Sequence, residues 1–311
     1  CHKFFTQLHS PLPVCSTSAL IADTIGTPAA KKAIAVMKKL ELFAGPALAV
    51  VLAMGLAACE PTGTPDPEPE TPVIDPTTDA GGDRVAAPDY AAIVADENRA
   101  PQDKEIAASR APVETLEFAG IQTGMTVYDI GSGGGYTAAL ISRAVGPEGK
   151  VYMQNPEAFS SFIGTSLTDR ALPNGEIITS QFDDLQAPDA SVDVVTWSMG
   201  PHELYYSPDG ALEGLGDVAG TYAEIYRILK PGGAFVAIDH MAEAGSPPTT
   251  GGETHRIDPA HVQAAAEAAG LVLEAQADFL RNPDDPLTAG VFDPSIVGQT
   301  DRFVHRYRKQ G

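Results

Sequence analysis

One stretch decides the fold: Val127-Tyr-Asp-Ile-Gly-Ser-Gly-Gly-Gly-Tyr-Thr-Ala-Ala139. The apolar run that closes on Asp129 predicts a short buried strand, and the glycines from Gly131 to Gly135 predict a tight turn. Tyr136 to Val145 then predicts a helix. Because glycine has no Cβ and tolerates positive φ, such a loop lets a ligand approach bare backbone at a helix N-terminus. A glycine loop alone is equally compatible with a structural turn, so the elements after it must decide.

The chain after this stretch alternates strands and helices. Lys150-Val-Tyr-Met-Gln-Asn155 predicts a second strand, which completes a βαβ unit with a right-handed crossover and a parallel strand pair. Further strands are predicted at residues 176–182, 191–198, 234–239, 271–280 and 301–308, and helices at 112–119, 218–229 and 260–269. The pattern predicts an α/β fold, a three-layer doubly wound Rossmann-like sandwich with a mostly parallel seven-stranded sheet and an antiparallel last strand. Such sheets bind ligands at the C-terminal ends of their strands.

Three stretches of the folded part are less regular. Residues 83–110 predict one or two lead-in helices, and residues 159–165 predict a short helix. Arg281 to Thr300 contains three prolines and predicts a long loop. Loops of that length are usually functional lids or disordered segments.

The residues before 83 predict export. We expect residues 1–36 not to belong to the native protein, because they show no strong periodicity. Residues 37–58 open with two lysines, continue as an apolar run and end on small residues, which is typical of a secretory signal peptide. The run is shorter than the roughly 20 residues that a membrane span needs. Leu56-Ala-Ala-Cys59 resembles the lipobox of bacterial lipoproteins, which implies cleavage before Cys59 and a lipid anchor on its sulfur.

Residues 59–82 are rich in Pro, Thr and acidic residues, which predicts a disordered linker between the lipidated Cys59 and one folded domain at 83–311. Cys1 and Cys15 both precede the signal, so no disulfide is expected after it. The lipobox implies a periplasm-facing protein of the bacterial cell envelope. Glu60, in place of the aspartate that favours inner-membrane retention, favours the outer membrane.

The net charge is −21 at pH 7. A strongly acidic surface repels phosphate backbones, so nucleic acid is not an expected partner. Keeping an exported protein soluble is a sufficient reason for this charge.

From about Pro112 to Lys309 the chain resembles class I S-adenosylmethionine-dependent methyltransferases. Three segments carry the resemblance: Val127 to Gly135 is similar to the first motif of the family, Ser191-Val-Asp-Val-Val195 to its fourth strand, and Leu229-Lys-Pro-Gly-Gly233 to the turn before its fifth. A narrower resemblance, to exported bacterial proteins predicted to be methyltransferases, lies in Asp239-His240, His255-Arg-Ile-Asp258 and Gly298-Gln-Thr-Asp-Arg-Phe303. Each motif is common separately, but their order and spacing are fairly specific.

The resemblance implies S-adenosylmethionine as cofactor. Its amino acid part would be received by Asp129, Gly131, Ser132, Gly133 and Gly135. Tyr136 stands where a dinucleotide-binding Gly-x-Gly-x-x-Gly loop would have its third glycine, which favours the methyltransferase interpretation. Asp183 or Asp184 would lie beside the adenine and accept its exocyclic amine.

Asn155 departs from the family pattern. The second strand of the family normally ends with an acid that binds both ribose hydroxyls, and Asn155 takes that position. An amide makes weaker hydrogen bonds than a carboxylate, so the resemblance implies weaker or altered cofactor binding, or none.

Methyl transfer from a sulfonium is an in-line displacement, which needs a general base only when the nucleophile must lose a proton. His202, after the fourth strand, is the first candidate base. His240 is the second, with Asp239 as its possible orienting partner. Each histidine could equally be satisfied by hydrogen bonds beside the pocket. His255 and Arg256 could close the pocket or cap the following helix.

No metal is expected. Histidines 202, 240 and 255 and Glu203 could converge in principle, but none of them shows a ligand spacing such as His-x-x-x-His.

Two functions remain open. The first is a membrane-tethered methyltransferase acting on a small molecule, and the second is a lipoprotein that binds a nucleoside-like or other small metabolite without chemistry. Asn155 and export favour the second, because S-adenosylmethionine is made in the cytoplasm. The intact Asp129 loop and His202 favour the first. The sequence leaves the methyl acceptor and the oligomeric state undetermined.

Overall fold

The computed structural model describes residues 87–205 and 215–311. The helices are α1 (Tyr90–Ala95), α2 (Pro101–Ala107), α3 (Pro112–Ala119), α4 (Tyr136–Val145), α5 (Ser160–Ile163), α6 (Val218–Ile228), α7 (Thr250–Thr254) and α8 (Pro259–Ala268). The strands are β1 (Thr126–Ile130), β2 (Lys150–Asn155), β3 (Gly175–Thr179), β4 (Val192–Ser198), β5 (Leu229–His240), β6 (Leu271–Ala277) and β7 (Arg302–Lys309). Short 3₁₀ turns occupy Glu157–Phe159, Thr168–Arg170 and Pro201–Leu204.

The strands form one seven-stranded sheet in the order β3-β2-β1-β4-β5-β7-β6. Neighbouring strands pair in parallel through the series β3, β2, β1, β4 and β5. β7 is antiparallel to both β5 and β6. This confirms the predicted fold class. The strand order reverses between β1 and β4, so the C-terminal ends of these two strands border the crevice where such folds bind ligands.

The core lies on both faces of the sheet because successive side chains of a strand point to opposite faces. On one face, Tyr128 and Trp197 are buried together with residues of α6 and α8. On the other, Val127 and Val236 are buried together with residues of α3 and α4. Burial on both sides holds the C-terminal ends of the central strands in place.

Most element boundaries agree with the sequence prediction, and two strands are shorter than predicted. β3 ends at Thr179 rather than residue 182, and β6 ends at Ala277 rather than residue 280. α7 was missed, since its Thr-Gly-Gly-Glu-Thr sequence has low helix propensity.

The predicted turn at Lys230-Pro-Gly-Gly233 lies inside β5. Val192 pairs with Leu229 and Val194 pairs with Ala234, so β5 carries extra residues that bulge out of the ladder. Gly232, at φ 77°, takes up the backbone bend.

The long loop before β7 contains no helix or strand, as predicted, and it is packed against the domain. Arg256 donates from Nη1 to Asp285 Oδ2 at 2.8 Å and from Nη2 to Asp285 Oδ1 at 3.0 Å. Both side chains are fully buried. Arg256 also donates from Nε to the carbonyl of Ala289 at 2.7 Å. A buried arginine therefore fastens the loop at two points.

The expectations for the export signal, Cys59 and the linker fall on residues outside the described part of the chain. Within the described part, none of the helices combines the length and apolar character of a membrane span.

Candidate active site

A cavity of about 390 Å³ opens at the C-terminal end of β1. Four of the predicted cofactor residues line it, namely Asp129, Gly131, Ser132 and Gly133. Ser198 and Met199, which follow β4, line it from the other side of the strand-order reversal. The cavity therefore lies where the sequence analysis predicted the ligand-binding edge.

Asp129 is buried and its two carboxylate oxygens have separate partners. Ser132 donates from Oγ to Oδ2 at 2.7 Å, and Thr196 donates from Oγ1 to Oδ1 at 2.7 Å. Burial raises the pKa of Asp129 to about 6, against the opposing effect of the two hydroxyl hydrogen bonds. This carboxylate is thus fixed in position and has an elevated affinity for protons.

The glycine loop is held from β2 by two side-chain amides. Gly131 donates its N–H to Gln154 Oε1 at 3.1 Å, and Gly133 donates its N–H to Asn155 Oδ1 at 2.8 Å. Asn155 Nδ2 donates back to the Gly133 carbonyl at 3.3 Å. Gly131 and Gly133 have φ values of 57° and 54°, which favour glycine. A Cβ on Gly133 would meet no atom within 4 Å, so it would project into open space rather than into protein.

Four predicted cofactor residues do not line this cavity. Asn155 faces the glycine loop instead. Asp183 accepts from the backbone N–H of Asp217 at 3.1 Å, and Asp184 is exposed and accepts from Gln186 Nε2 at 3.3 Å. Gly135 lies behind the loop, where a Cβ would come within 2.7 Å of Leu167. Their contacts with a ligand stay predictions.

Two arginines complete the cavity wall, and the sequence analysis missed both because they lie outside every motif. Arg170 binds Asp103 through both terminal nitrogens, at 2.6 and 2.9 Å, and its Nε donates to the Gly134 carbonyl. It thereby fastens α2 to the glycine loop. Arg110 lines the same cavity, and in the described part of the chain its guanidinium has no hydrogen-bonding or ion-pair partner. Burial lowers the pKa of Arg110.

His202 and Asp239 form a buried pair at the ends of β4 and β5. His202 Nδ1 lies 2.8 Å from Asp239 Oδ1, and the His202 backbone N–H donates to Asp239 Oδ2 at 2.7 Å. We expected Asp239 as a possible orienting partner of His240, but its carboxylate contacts the ring of His202 instead. Adjacent residues of a strand point to opposite faces, so only the backbone N–H of His240 reaches Asp239, at 2.8 Å. The His240 ring lies 2.7 Å from Thr300 Oγ1 instead.

The second nitrogen of His202 faces two further polar side chains. His202 Nε2 lies 3.1 Å from His255 Nδ1 and 3.4 Å from Glu203 Oε1. His255 ends α7 in the left-handed conformation, at φ 56°, which is uncommon for a residue with a Cβ. His255 is therefore brought to the adjacent residues His202 and Glu203 from 53 positions along the chain.

The pKa values of the two candidate bases are shifted in opposite directions. Burial lowers the pKa of His202, but Asp239 and Glu203 outweigh it and raise that pKa to about 10. Burial also lowers the pKa of His240, and the positive charges of His202, Arg302 and Arg110 lower it further. At neutral pH His202 is therefore positively charged and His240 is neutral, so only His240 is in the protonation state of a base, and its lowered pKa makes it a weak one.

Two family models match parts of the chain. Residues 128–237 match a family model described as a methyltransferase domain. Residues 92–155 match a model described as protein-L-isoaspartate(D-aspartate) O-methyltransferase. Both matches include the C-terminal part of β1 and the glycine loop.

Curated relatives match over part of their length. The chain is 30% identical over 130 residues to the ubiquinone/menaquinone biosynthesis C-methyltransferase UbiE of Pseudomonas fluorescens, which covers 40% of this chain and 45% of that protein. It is 30% identical over 127 residues to the demethylmenaquinone methyltransferase of Listeria monocytogenes, covering 40% of this chain and 49% of that protein. The chain thus spans about half the length of the curated relatives it matches.

Solved structures are similar at lower sequence identity. An S-adenosylmethionine-dependent methyltransferase from Aquifex aeolicus is 21% identical, with a TM-score of 0.47, covering 71% of this chain and 98% of that chain. This likeness adds nothing to what the strand order establishes about the fold. The comparisons therefore show that residues 128–237 are similar to methyltransferase domains.

Proposed function

We propose that this chain is an S-adenosylmethionine-dependent methyltransferase that acts on a small molecule. The observation that carries the proposal is the cavity at the β1 edge, where Asp129 and the glycine loop line the same space as Arg110, whose guanidinium has no partner among the described residues. A carboxylate and a guanidinium on one cavity wall match the ammonium and carboxylate of an amino acid. The loop also exposes glycine backbone to the cavity. The donor set therefore fits the amino acid part of the cofactor.

Each wall of the cavity has a role in this proposal. Asp129 would bind the ammonium group, Arg110 the carboxylate, and the backbone of Gly131 and Gly133 would lie against the ligand. S-adenosylmethionine supplies an electrophilic methyl group when it is bound. The protein then contributes mainly by aligning the acceptor, since in-line displacement depends on positioning.

The histidines after β4 and β5 would handle charge on the acceptor side. His202, held positive by Asp239 and Glu203, is suited to stabilising a negative charge or donating a proton. His240 is neutral and free to take a proton from the acceptor, and its lowered pKa makes it a weak base. In this proposal His240 replaces His202 as the first candidate base.

Calorimetry of the full chain with S-adenosylmethionine and S-adenosylhomocysteine tests the proposal. We expect binding of both, and we expect Asp129→Ala to abolish it. Asp284→Ala is the control, because Asp284 is exposed on the loop before β7. Failure of both ligands to bind at millimolar concentration would refute the proposal, and unchanged affinity in Asp129→Ala would show that the ligand binds elsewhere.

We further propose that the chain is exported and tethered to the bacterial envelope through a lipid on Cys59, facing the periplasm and favouring the outer membrane. The support is the sequence from residue 37 to Cys59. Radiolabelled palmitate should be incorporated by bacteria expressing the chain and lost with Cys59→Ala. Cys15→Ala is the control, and labelling that survives Cys59→Ala would refute the anchor.

A non-catalytic binding protein is the second candidate function. It is favoured by Asn155, whose amide is engaged with Gly133 at both ends. Binding of adenosine or another nucleoside with no binding of S-adenosylmethionine would favour this alternative over the methyltransferase.

A further inference from the structure

We propose that His202, Glu203 and His255 bind a divalent transition-metal ion of the zinc type. The three ligand atoms are His202 Nε2, His255 Nδ1 and Glu203 Oε1, and all lie within 4.8 Å of one another. The site depends on these side chains alone and holds whether or not the protein is a methyltransferase.

The distances fit a common metal centre. His202 Nε2 lies 3.1 Å from His255 Nδ1 and 3.4 Å from Glu203 Oε1, and His255 Nδ1 lies 3.9 Å from Glu203 Oε1. Ligands at about 2.0–2.2 Å from a tetrahedral ion are separated by about 3.3–3.5 Å. A modest rotation of Glu203, which is partly exposed, would bring its oxygen to that distance from His255.

Hydrogen bonding alone accounts less well for this arrangement. His202 Nε2 can carry at most one proton, yet it faces both an imidazole nitrogen and a carboxylate oxygen. One proton bonds well to only one of these partners. A metal ion at the centre displaces the proton of His202 Nε2, while Nδ1 keeps its proton toward Asp239, and it then binds all three ligand atoms at once.

Asp239 supplies the support that metal-binding histidines usually have. It contacts His202 Nδ1 at 2.8 Å and also holds the His202 backbone N–H. A carboxylate on one imidazole nitrogen fixes the tautomer and directs the lone pair of the other nitrogen at the metal. Asp239 therefore orients His202 without being a ligand itself.

The backbone is arranged to bring His255 to this point. His255 adopts φ 56° at the end of α7. A Cβ on Gly251 would lie 3.0 Å from the His202 carbonyl, so glycine permits α7 to approach His202 closely. Glu203 and His255 remain partly exposed, which gives an ion access from solvent.

Two imidazoles and a carboxylate are the donors that zinc and its neighbours in the first transition row prefer. Three protein ligands leave one coordination position open. If the proposed methyl transfer holds, that position would take an oxygen or sulfur atom of the acceptor and favour its deprotonated form. This consequence, unlike the metal site, rests on the proposed function.

The test measures metal alone, without S-adenosylmethionine. Calorimetry with Zn²⁺ and the visible spectrum of the Co²⁺-loaded full chain should show one tight site with four- or five-coordinate absorption. We expect His255→Ala and Glu203→Gln to lower Zn²⁺ affinity at least 100-fold, and Asp239→Asn to lower it about 10–100-fold. The control His261→Ala should keep wild-type affinity, since His261 bonds to the Ser246 carbonyl away from the site.

Circular dichroism should show that His255→Ala and Glu203→Gln are folded, which is expected because both side chains are partly exposed. The proposal is overturned if no Zn²⁺ binding is detected when the Zn²⁺ concentration is raised to 100 times the protein concentration. It is also overturned if His255→Ala and Glu203→Gln bind Zn²⁺ with wild-type affinity. Loss of cofactor binding in Asp129→Ala leaves the metal result untouched, so the two proposals fail separately.

Discussion

Asn155 bonds to the backbone of Gly133 at both ends of its amide, accepting from the N–H at 2.8 Å and donating to the carbonyl at 3.3 Å. An amide satisfies both backbone groups at once, whereas a carboxylate would repel the carbonyl. Asn155 therefore fixes the glycine loop, which is a role that the resemblance to the family did not imply. It suits the position even though an acid is usual there.

The first prediction concerns this amide. Asn155→Asp should lower the free energy of unfolding by about 1–2 kcal/mol, because one hydrogen bond is lost and a charge faces a carbonyl. Urea denaturation at pH 7 measures it. Gln122→Glu, on the exposed turn before β1, is the matched amide-to-acid control and should change stability by less than about 0.5 kcal/mol. Equal stability of Asn155→Asp and wild type would contradict the role of the amide.

The second prediction concerns Asp129 and pH. Its folded-state pKa of about 6 lies above the ordinary value near 3.9, so the folded protein binds more protons than the unfolded chain between these values. Stability should therefore fall as pH rises through this window, by about 3 kcal/mol. The amide in the Asp129→Asn variant cannot ionise, so this variant should not show the fall in stability that the Asp129 carboxyl causes.

The measurement is urea unfolding of wild type and Asp129→Asn from pH 4 to pH 7. Other carboxyl groups titrate in both proteins and cancel in the difference. We expect Asp129→Asn to gain about 2 kcal/mol relative to wild type over the range. A difference that stays constant with pH would show that the pKa of Asp129 is not raised.

The third prediction concerns Arg110. Arg110→Gln should weaken S-adenosylhomocysteine binding about 10- to 100-fold, since it removes a charged hydrogen bond of about 1.5–3 kcal/mol. Its affinity for methylthioadenosine, which lacks the amino acid part, should be unchanged. Arg143→Gln is the control, because Arg143 is paired with Asp96 outside this cavity. Equal losses for both ligands would show that Arg110 acts through the fold and does not bind the carboxylate.

The fourth prediction concerns the loop before β7. Asp285→Ala should cost about 3–5 kcal/mol of unfolding free energy, because it leaves the fully buried Arg256 charge without its carboxylate. Asp284→Ala, one residue earlier and exposed, should cost less than about 0.5 kcal/mol. Thermal unfolding of the two variants checks this. Similar melting temperatures would mean that the ion pair does not hold the loop.

The sequence by itself determined the sheet and the place of the site. Apolar runs at strand spacing and the glycines after Asp129 act locally, through burial and through the backbone conformations that glycine allows. These signals sufficed to predict β1, the glycine loop, α4 and β2. The order of these elements also located the ligand edge of the sheet.

Only the tertiary structure decided which side chains meet at that edge. Asp239 supports His202 rather than His240, because adjacent strands bring residues 37 positions apart together while strand alternation separates neighbours. Arg110 and Arg170 line the cavity without belonging to any motif, and His255 reaches His202 through a left-handed turn that no local pattern marks. Contacts of this kind depend on packing between distant elements, and packing is not a property of any single stretch of sequence.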